Sequence, residues 1–185
     1  LDDPELMITA ARERRLDIVE LLLDLGVAVD VADEGGTRAL NVAAGSGAVD
    51  IVKVLLARGA DVDRPTKHYG GPMGFAAHFG QRATAELLAP KSRDVHNMVF
   101  LGLKDRLREL FTAEPTLANL EHFRSGSTPL FVLPADDGAA LEMAQFLLEH
   151  GADPAFRDKD GRMPAQAARQ RGLKRAAALL SKATR

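Results

Sequence analysis

The chain has 185 residues, with 24 Lys and Arg against 26 Asp and Glu, and contains neither Cys nor Trp. The lack of cysteine excludes a disulfide framework, a zinc–thiolate site, a thiol nucleophile and iron–sulfur ligation. No run of about 18 apolar residues occurs, so the sequence predicts no transmembrane helix, and 46% hydrophobic residues argues against intrinsic disorder.

Alanine and leucine dominate the composition and occupy 56 of the 185 positions. Aromatic residues are scarce, and β-branched residues do not alternate over any length, so the pattern favours stacked helices over sheets. No charged-then-apolar leader segment is present, and we therefore expect a cytoplasmic protein.

An internal repeat becomes visible when the chain is aligned with itself. Residues 16–30, 49–63 and 140–154 read LDIVELLLDLGVAVD, VDIVKVLLARGADVD and ALEMAQFLLEHGADP. In the first two segments Gly26 and Gly59 are 33 positions apart, as are Ile18 and Ile51. A fixed period of this length indicates a repeat architecture.

The second repeat shows how one unit folds. A short apolar stripe around Leu40 is followed by Gly45 and Gly47, which permit a tight reversal into a second helix. That helix has a one-sided apolar face and is expected to end at Gly59 in the left-handed conformation. Helices shorter than about 12–15 residues are marginal alone in water, so stability must come from stacking between neighbouring repeats.

With these features the sequence resembles the ankyrin repeat family, whose unit of about 33 residues joins a β-turn finger to two antiparallel helices. Matching motifs include Gly126-Ser127-Thr128-Pro129-Leu130 and Asp158-Lys159-Asp160-Gly161. The resemblance implies an all-α ankyrin-repeat solenoid that forms one domain over residues 1–185. The six expected repeats span approximately residues 2–32, 33–65, 66–89, 90–120, 121–157 and 158–185.

Several departures from the family pattern carry structural predictions. Only repeat five contains Thr-Pro-Leu, and Phe131 stands at the usual histidine position. The finger between repeats three and four looks deleted, which predicts a break or kink in the stack near residues 89–95. Asp3-Pro4-Glu5 predicts a capped start of the first helix, and Ser92 is expected to cap the helix of repeat four.

Residues suited to catalysis are scarce. The five histidines show no metal-binding spacing, no serine lies in a nucleophile elbow, and no glycine-rich segment has the form of a phosphate loop. The sequence therefore predicts neither enzyme activity nor a metal or cofactor. By resemblance, His96 occupies the position of the signature histidine, whose implied role is bonding to finger backbone.

The resemblance implies that a partner protein binds on the concave side, which is built from finger tips and the inner faces of the first helices. Carried over residue by residue, the candidate binding residues are Glu34, Thr37, Ser46, Lys67, His68, His78, Phe79, Phe100, Leu101, Arg124, Ser125 and Ser127. Flanking candidates at the same family positions are Arg12, Glu13, Gly35, Gly45, Gly70, Lys159, Asp160, Arg162, Gln170 and Arg171.

Phe79, Phe100 and Leu101 are large apolar residues at nominally exposed positions. They can anchor a partner or can fill the gap left by the missing finger, and the sequence leaves both interpretations open. The identity of the partner is also open, and the chain can be a regulatory domain of a larger protein or a small inhibitor or immunity protein. The terminal repeats look polar enough to cap a monomer.

Two alternative functions come from other features. Residues 156–185 carry nine basic side chains and only two acidic ones, a pattern that suits an acidic partner or nucleic acid. No aromatic residues interleave with these charges, so nucleic-acid binding is not the favoured interpretation. A small-molecule or catalytic site around His78, His96 and Tyr69 is the third hypothesis.

Overall fold

The computed structural model describes residues 3–67 and 70–184. These residues form eleven α-helices and two short 3₁₀ segments, and the only β-structure among them is two isolated bridges. The predicted all-α architecture is therefore confirmed. The chain divides into two compact units, Leu1–Asp94 and Val95–Arg185, which we call the N-terminal half and the C-terminal half. The expectation of one domain over residues 1–185 stays a prediction.

The N-terminal half consists of three helix pairs in sequence. Its helices are α1 (Pro4–Arg12), α2 (Leu16–Asp24), α3 (Ala39–Ser46), α4 (Val49–Ala57), α5 (Pro72–His78) and α6 (Arg82–Leu88). The first helices of the pairs form one layer, in which α3 packs against both α1 and α5. The second helices form another layer, in which α4 packs against α2 and α6.

Small residues allow the first helices to approach closely. Ala39, Ala43 and Ala44 of α3 are completely buried between its two neighbours. At the start of the half, the Asp3 carboxylate accepts a hydrogen bond from the Glu5 amide at 3.0 Å, and Pro4 occupies the first turn of α1. The predicted capped start of the first helix is thus confirmed.

The reversal inside each helix pair uses a residue with positive φ. Arg14, Gly47 and Gly80 occupy equivalent positions in successive repeats and have φ values of 56°, 71° and 67°. Arg14 is the only non-glycine residue with positive φ among the described residues, and this conformation is strained for a residue with a side chain. Its guanidinium donates a hydrogen bond to the Ser46 carbonyl oxygen, which ties the first repeat to the second.

Aspartates at the ends of the repeats bind the backbone of later repeats. The Asp30 carboxylate accepts a hydrogen bond from the Asp61 amide at 3.1 Å, and the Asp63 carboxylate accepts one from the Arg93 amide at 2.8 Å. These hydrogen bonds fix the register between repeats, because each one joins a side chain to a defined amide of a later repeat.

Ser92 does not have the role that the sequence predicted. The helix of repeat four begins at Val95, so Ser92 lies too early in the chain to cap it. The Ser92 hydroxyl instead donates to the Asp63 carboxylate and accepts a hydrogen bond from the Asp94 amide at 3.1 Å. Ser92 thus holds the connection that precedes the helix rather than the helix itself.

The expected deletion between repeats three and four is confirmed. Only residues 89–94 separate α6 from the next helix, whereas residues 25–38 separate α2 from α3. The short connection leaves no room for a finger. The boundary between the two halves follows Asp94 and falls inside the segment in which the break was predicted; the kink itself stays a prediction.

The C-terminal half contains α7 (Val95–Leu101), α8 (Lys104–Ala113), α9 (Asp137–Glu149), α10 (Pro164–Gln170) and α11 (Lys174–Ala183). The 3₁₀ segments Pro115–Asn119 and Pro129–Phe131 lie between α8 and α9. Helix α7 pairs with α8, α10 pairs with α11, and α11 also packs against α9.

Repeat five departs most from a helix pair, although it alone carries Thr-Pro-Leu. Its first helix is reduced to the 3₁₀ segment Pro129–Phe131. Pro134 lacks an amide proton and disfavours a helical conformation at Leu133, so an α-helix starting at Pro129 cannot continue. Asp136 then begins α9 by accepting a hydrogen bond from the Ala139 amide at 2.9 Å.

The first repeat exposes three leucines in addition to the polar residues that the sequence predicts as its cap. Leu6, Leu21 and Leu25 are 52%, 56% and 54% exposed. Ala39 occupies the position of Leu6 in the second repeat and is completely buried, while Arg58 occupies the position of Leu25 and forms an ion pair with Asp24 of the preceding repeat. The leucines thus occupy positions that interior repeats use for contact with a predecessor. The predicted monomeric state stays a prediction.

The finger of repeat six is organised by a buried carboxylate. Asp158 accepts hydrogen bonds from the amides of Asp160 and Arg162 at 3.0 and 2.9 Å and from the Arg162 guanidinium at 2.9 Å. Burial by itself would raise the pKa of Asp158, but these hydrogen bonds outweigh burial and hold the pKa below its usual value. Asp33 accepts from the Thr37 amide in the same way in repeat two.

We expect the substitution Asp158→Asn to lower the free energy of unfolding by about 1–2 kcal/mol at pH 7, because charge-assisted hydrogen bonds are lost. Since the folded state lowers the pKa of Asp158, its stabilisation is complete above the pKa of the unfolded state and is lost as the pH falls through the folded value. The difference between wild type and variant should therefore shrink from pH 7 to pH 3 in urea denaturation. Asp160→Asn is the control, because the Asp160 side chain is 70% exposed; an equal loss in both variants would contradict the role of Asp158.

Candidate binding site

The first helices and the fingers of the N-terminal half enclose a cavity of about 390 Å³. The cavity is bounded by α1, α3 and α5 and by finger residues that precede α3 and α5. The lining residues are Arg12, Thr37, Val42, Gly45, Ser46, Thr66, Phe75 and Phe79. We call this set the groove pocket.

The groove pocket has an apolar floor. Phe75 of α5 is buried, with 9% exposure, whereas Phe79 directly after α5 is 55% exposed. Gly45 makes this arrangement possible, because a Cβ at that position would lie 3.0 Å from Cδ2 of Phe79 and 3.4 Å from Cδ1 of Phe75. Phe79 is therefore neither a core residue nor a free surface side chain: the Cδ2–Cε2 edge of its ring lies against Gly45, while more than half of the residue is accessible.

Polar groups surround this floor. Arg12 ends α1, and Thr37 precedes α3 in the finger of repeat two. The carbonyl oxygen of Ser46 accepts the hydrogen bond from Arg14, and the Ser46 hydroxyl donates to the Ala43 carbonyl at 3.3 Å. Of the predicted binding residues, the structure thus brings Thr37, Ser46 and Phe79 together around one cavity.

The other predicted residues of the N-terminal half lie on the fingers and beside Phe79. Glu34 and Lys67 are exposed, and the Lys67 amide donates to the Gly35 carbonyl at 2.9 Å, which joins neighbouring fingers. His78 is exposed, and its ring stands edge-on to Phe79 with centroids 4.8 Å apart. His68 lies outside the described residues.

The predicted residues of the C-terminal half differ in their exposure to solvent. Phe100 is 38% exposed, and Leu101 is half-buried. Arg124 is exposed and lies over the ring of Phe123 at 5.2 Å. Ser125 is also exposed and hydrogen-bonds through its hydroxyl to the Ser127 hydroxyl at 2.7 Å.

Ser127 is a correction to the predicted set. Only 7% of the residue is exposed, and its carbonyl oxygen accepts a hydrogen bond from Nε2 of His96 at 3.0 Å. Ser127 is therefore held inside the half by the finger and cannot offer its side chain to a partner. The same hydrogen bond confirms the structural role implied for His96.

Sequence reasoning missed Val42, Thr66, Phe75 and Phe123. Phe75 precedes Phe79 by four positions, and this spacing places both rings on one face of a helix. The helical period therefore contains the signal that Phe75 lies beside Phe79. Phe123 is 66% exposed beside Arg124 at the tip of a finger, and no sequence signal distinguishes it from a buried aromatic residue.

The histidines of the third hypothesis belong to different halves. His78 lies in the N-terminal half, while His96 is buried in the C-terminal half beside His122, with ring centroids 5.3 Å apart. Tyr69 lies outside the described residues. Within the described ranges, no group of three or more His, Asp or Glu side chains is placed to hold a metal ion.

Many basic side chains of the last repeat are engaged within their own half. Lys159 donates to the carbonyl oxygens of Phe123 and Arg124 at 3.3 and 2.9 Å. Arg171 donates to the carbonyl of Leu133 at 2.6 Å, and burial lowers its pKa. Arg162 is paired with Asp158. Several of the positive charges of the last repeat are thus engaged in structural contacts, which weakens the case for a surface that binds nucleic acid.

Along residues 3–67 and 70–184, no helix combines the length and the apolar character needed to cross a membrane.

Two family models match the chain. One, described as three copies of ankyrin repeats, matches residues 2–66, and the other, a single ankyrin repeat, matches residues 125–159. These matches include two of the three first helices around the groove pocket and the finger that contains Ser127.

Two proteins named for ankyrin repeats are similar to the chain. YahD of Escherichia coli strain K12 is 28% identical over 188 residues, which cover 94% of this chain and 92% of that protein. An ankyrin repeat-containing protein of Treponema pallidum strain Nichols is 28% identical over 159 residues, which cover 85% of this chain but only 44% of that protein. With its stacked helix pairs, its fingers and these matches, the chain belongs to the ankyrin repeat family.

Proposed function

We propose that this protein is a non-enzymatic interaction module that holds a partner protein on the concave side of its repeats, with Phe79 as an anchor. Ankyrin repeats are generally protein–protein interaction modules. The observation that carries the proposal is the exposed ring of Phe79 on the floor of the groove pocket, supported from below by Gly45.

The energetics of the ring support this role. A large aromatic side chain that is 55% exposed leaves much of its apolar surface in water, and covering that surface with a partner is favourable by roughly 25 cal/mol per Å². Aromatic anchors in preformed pockets are typical of the residues that dominate binding energy. Gly45 lowers the cost of binding further, because it lets the ring rest against α3 before a partner arrives.

The identity of the partner decides between two roles for the module. It serves either as a regulatory domain of a larger chain or as a small inhibitor or immunity protein. The cytoplasmic location also stays a prediction.

Nucleic-acid or acidic-partner binding by the last repeat is the alternative function. It is supported by Lys174, Arg175 and Lys182, whose side chains have no hydrogen-bond partner among the described residues.

We expect Phe79→Ala to abolish capture of the partner while lowering the free energy of unfolding by less than about 2 kcal/mol, well below the ~3–5 kcal/mol of a buried phenylalanine. Immobilised wild type and variant are compared by cross-linking mass spectrometry in a lysate of the source cells. Leu21→Ala is the matched control, because Leu21 is 56% exposed but lies on α2, away from the groove pocket. Unchanged capture by Phe79→Ala, or equal loss in both variants, would refute the anchor role.

We expect Gly45→Ala to shift the ring of Phe79 by only a few tenths of an ångström, because the added methyl carbon would lie 3.0 Å from Cδ2, and the ring stays in contact with the methyl group. The exposed ring can move, and alanine favours the helix by up to about 1 kcal/mol, so stability should change little. Nuclear Overhauser effects between the introduced methyl group and the Phe79 ring check the geometry, and capture of the partner should weaken. Absence of these contacts in a folded variant would show that Phe79 does not lie on α3.

A further inference from the structure

Two polar side chains at the groove pocket have no partner within the described protein. Among residues 3–67 and 70–184, neither the guanidinium of Arg12 nor the hydroxyl of Thr37 forms a hydrogen bond or an ion pair. Both residues line the same cavity as the apolar floor of Val42, Phe75 and Phe79. The groove pocket therefore combines an apolar surface with a cation that no described carboxylate of the chain neutralises.

Several charges near Arg12 and Thr37 already interact with other groups of the chain. Arg15 forms an ion pair with Asp17 at 2.7 Å, and Glu13 interacts electrostatically with Arg15. Asp33, four positions before Thr37, accepts the Thr37 amide at 2.7 Å, and Glu34 is exposed on the same finger. Arg14 donates to the neutral carbonyl of Ser46, which adds a second positive charge beside a residue that lines the pocket.

We propose that the groove pocket binds a partner segment in which an Asp or Glu lies next to a large apolar side chain, the carboxylate pairing with Arg12 and the apolar group packing on Phe79. This inference rests on the proposed function and specifies the chemistry of the partner. A guanidinium offers two parallel donors that match the two oxygens of one carboxylate. Charge complementarity therefore selects an acidic segment over a basic or neutral one.

The size of the cavity agrees with a short segment. Its volume of about 390 Å³ lies near the lower end of the roughly 300–1,000 Å³ that ligand pockets enclose. One large apolar side chain and a neighbouring carboxylate fill such a space, whereas a folded element of a partner would have to contact the fingers as well.

The test uses two blocked peptides, acetyl-Gly-Phe-Glu-Gly-amide and acetyl-Gly-Phe-Gln-Gly-amide, titrated into the intact chain and followed by backbone amide shifts in NMR spectra. We expect the Glu peptide to bind about three- to fivefold more tightly than the Gln peptide at low salt, as one exposed ion pair with good geometry provides. The preference should shrink as salt screens the pair. The shifts should concentrate at the groove pocket, including Val42, Gly45 and Phe79.

Two variants locate the preference. Arg12→Gln should abolish the difference between the peptides and leave the affinity for the Gln peptide unchanged. Arg82→Gln is the matched control, because Arg82 is an exposed arginine on α6 that is paired with Glu86; it should keep the wild-type preference. A third peptide, acetyl-Gly-Ala-Glu-Gly-amide, should bind more weakly than the Glu peptide because it lacks the apolar group.

The outcomes separate this inference from the proposed function. Equal affinities of wild type for the Glu and Gln peptides, shifts confined to other surfaces, or a preference that survives Arg12→Gln would each overturn the inference. If Phe79→Ala still loses the captured partner in that case, the interaction module stands without the acidic segment. If the peptide preference holds but Phe79→Ala captures the same partner as wild type, the pocket binds such segments and the anchor role in the proposed function is wrong.

Discussion

Contact between neighbouring repeats is the interaction on which the N-terminal half depends. Helices α1 to α6 have seven to nine residues each, too few to be stable alone in water. They become stable because α3 buries alanines against α1 and α5, and because aspartates such as Asp30 and Asp63 satisfy amides of later repeats. Apolar burial supplies most of the free energy of stacking, while the directional hydrogen bonds set the register between repeats. A groove lined by first helices and fingers follows from that register.

The groove pocket is a local consequence of the same packing. Gly45 lies in the layer of small residues that lets the first helices approach each other, and the space it leaves is filled by the rings of Phe75 and Phe79. One phenylalanine is buried and the other is more than half exposed, so a single helical turn contributes both to the core and to a surface for binding. Arg12 and Thr37 complete this surface with polar groups that the described fold itself does not use.

The irregular repeats show how the same architecture tolerates departures from its pattern. In repeat five, prolines reduce the first helix to a 3₁₀ turn, yet the finger before it is held by the hydrogen bond from His96 to Ser127. In repeat six, Asp158, Lys159 and Arg162 organise the finger. The positive charge of the last repeat therefore serves its own folding in several places, and net charge alone overstates the surface that is available to an acidic partner.

The sequence was enough to predict the repeat architecture, the start and stop of the best-patterned helices, and the missing finger, because helical periodicity, Asp3-Pro4, Gly59 and the constant repeat spacing act through local backbone chemistry. It also identified Thr37, Ser46 and Phe79 as members of a surface, through their positions in the repeat. The burial of Ser127 and the exposure of Phe123, Leu6, Leu21 and Leu25 could be seen only in the folded chain. Exposure depends on which neighbour lies against a side chain, and that is set by packing between residues far apart in the sequence rather than by the residue and its local pattern.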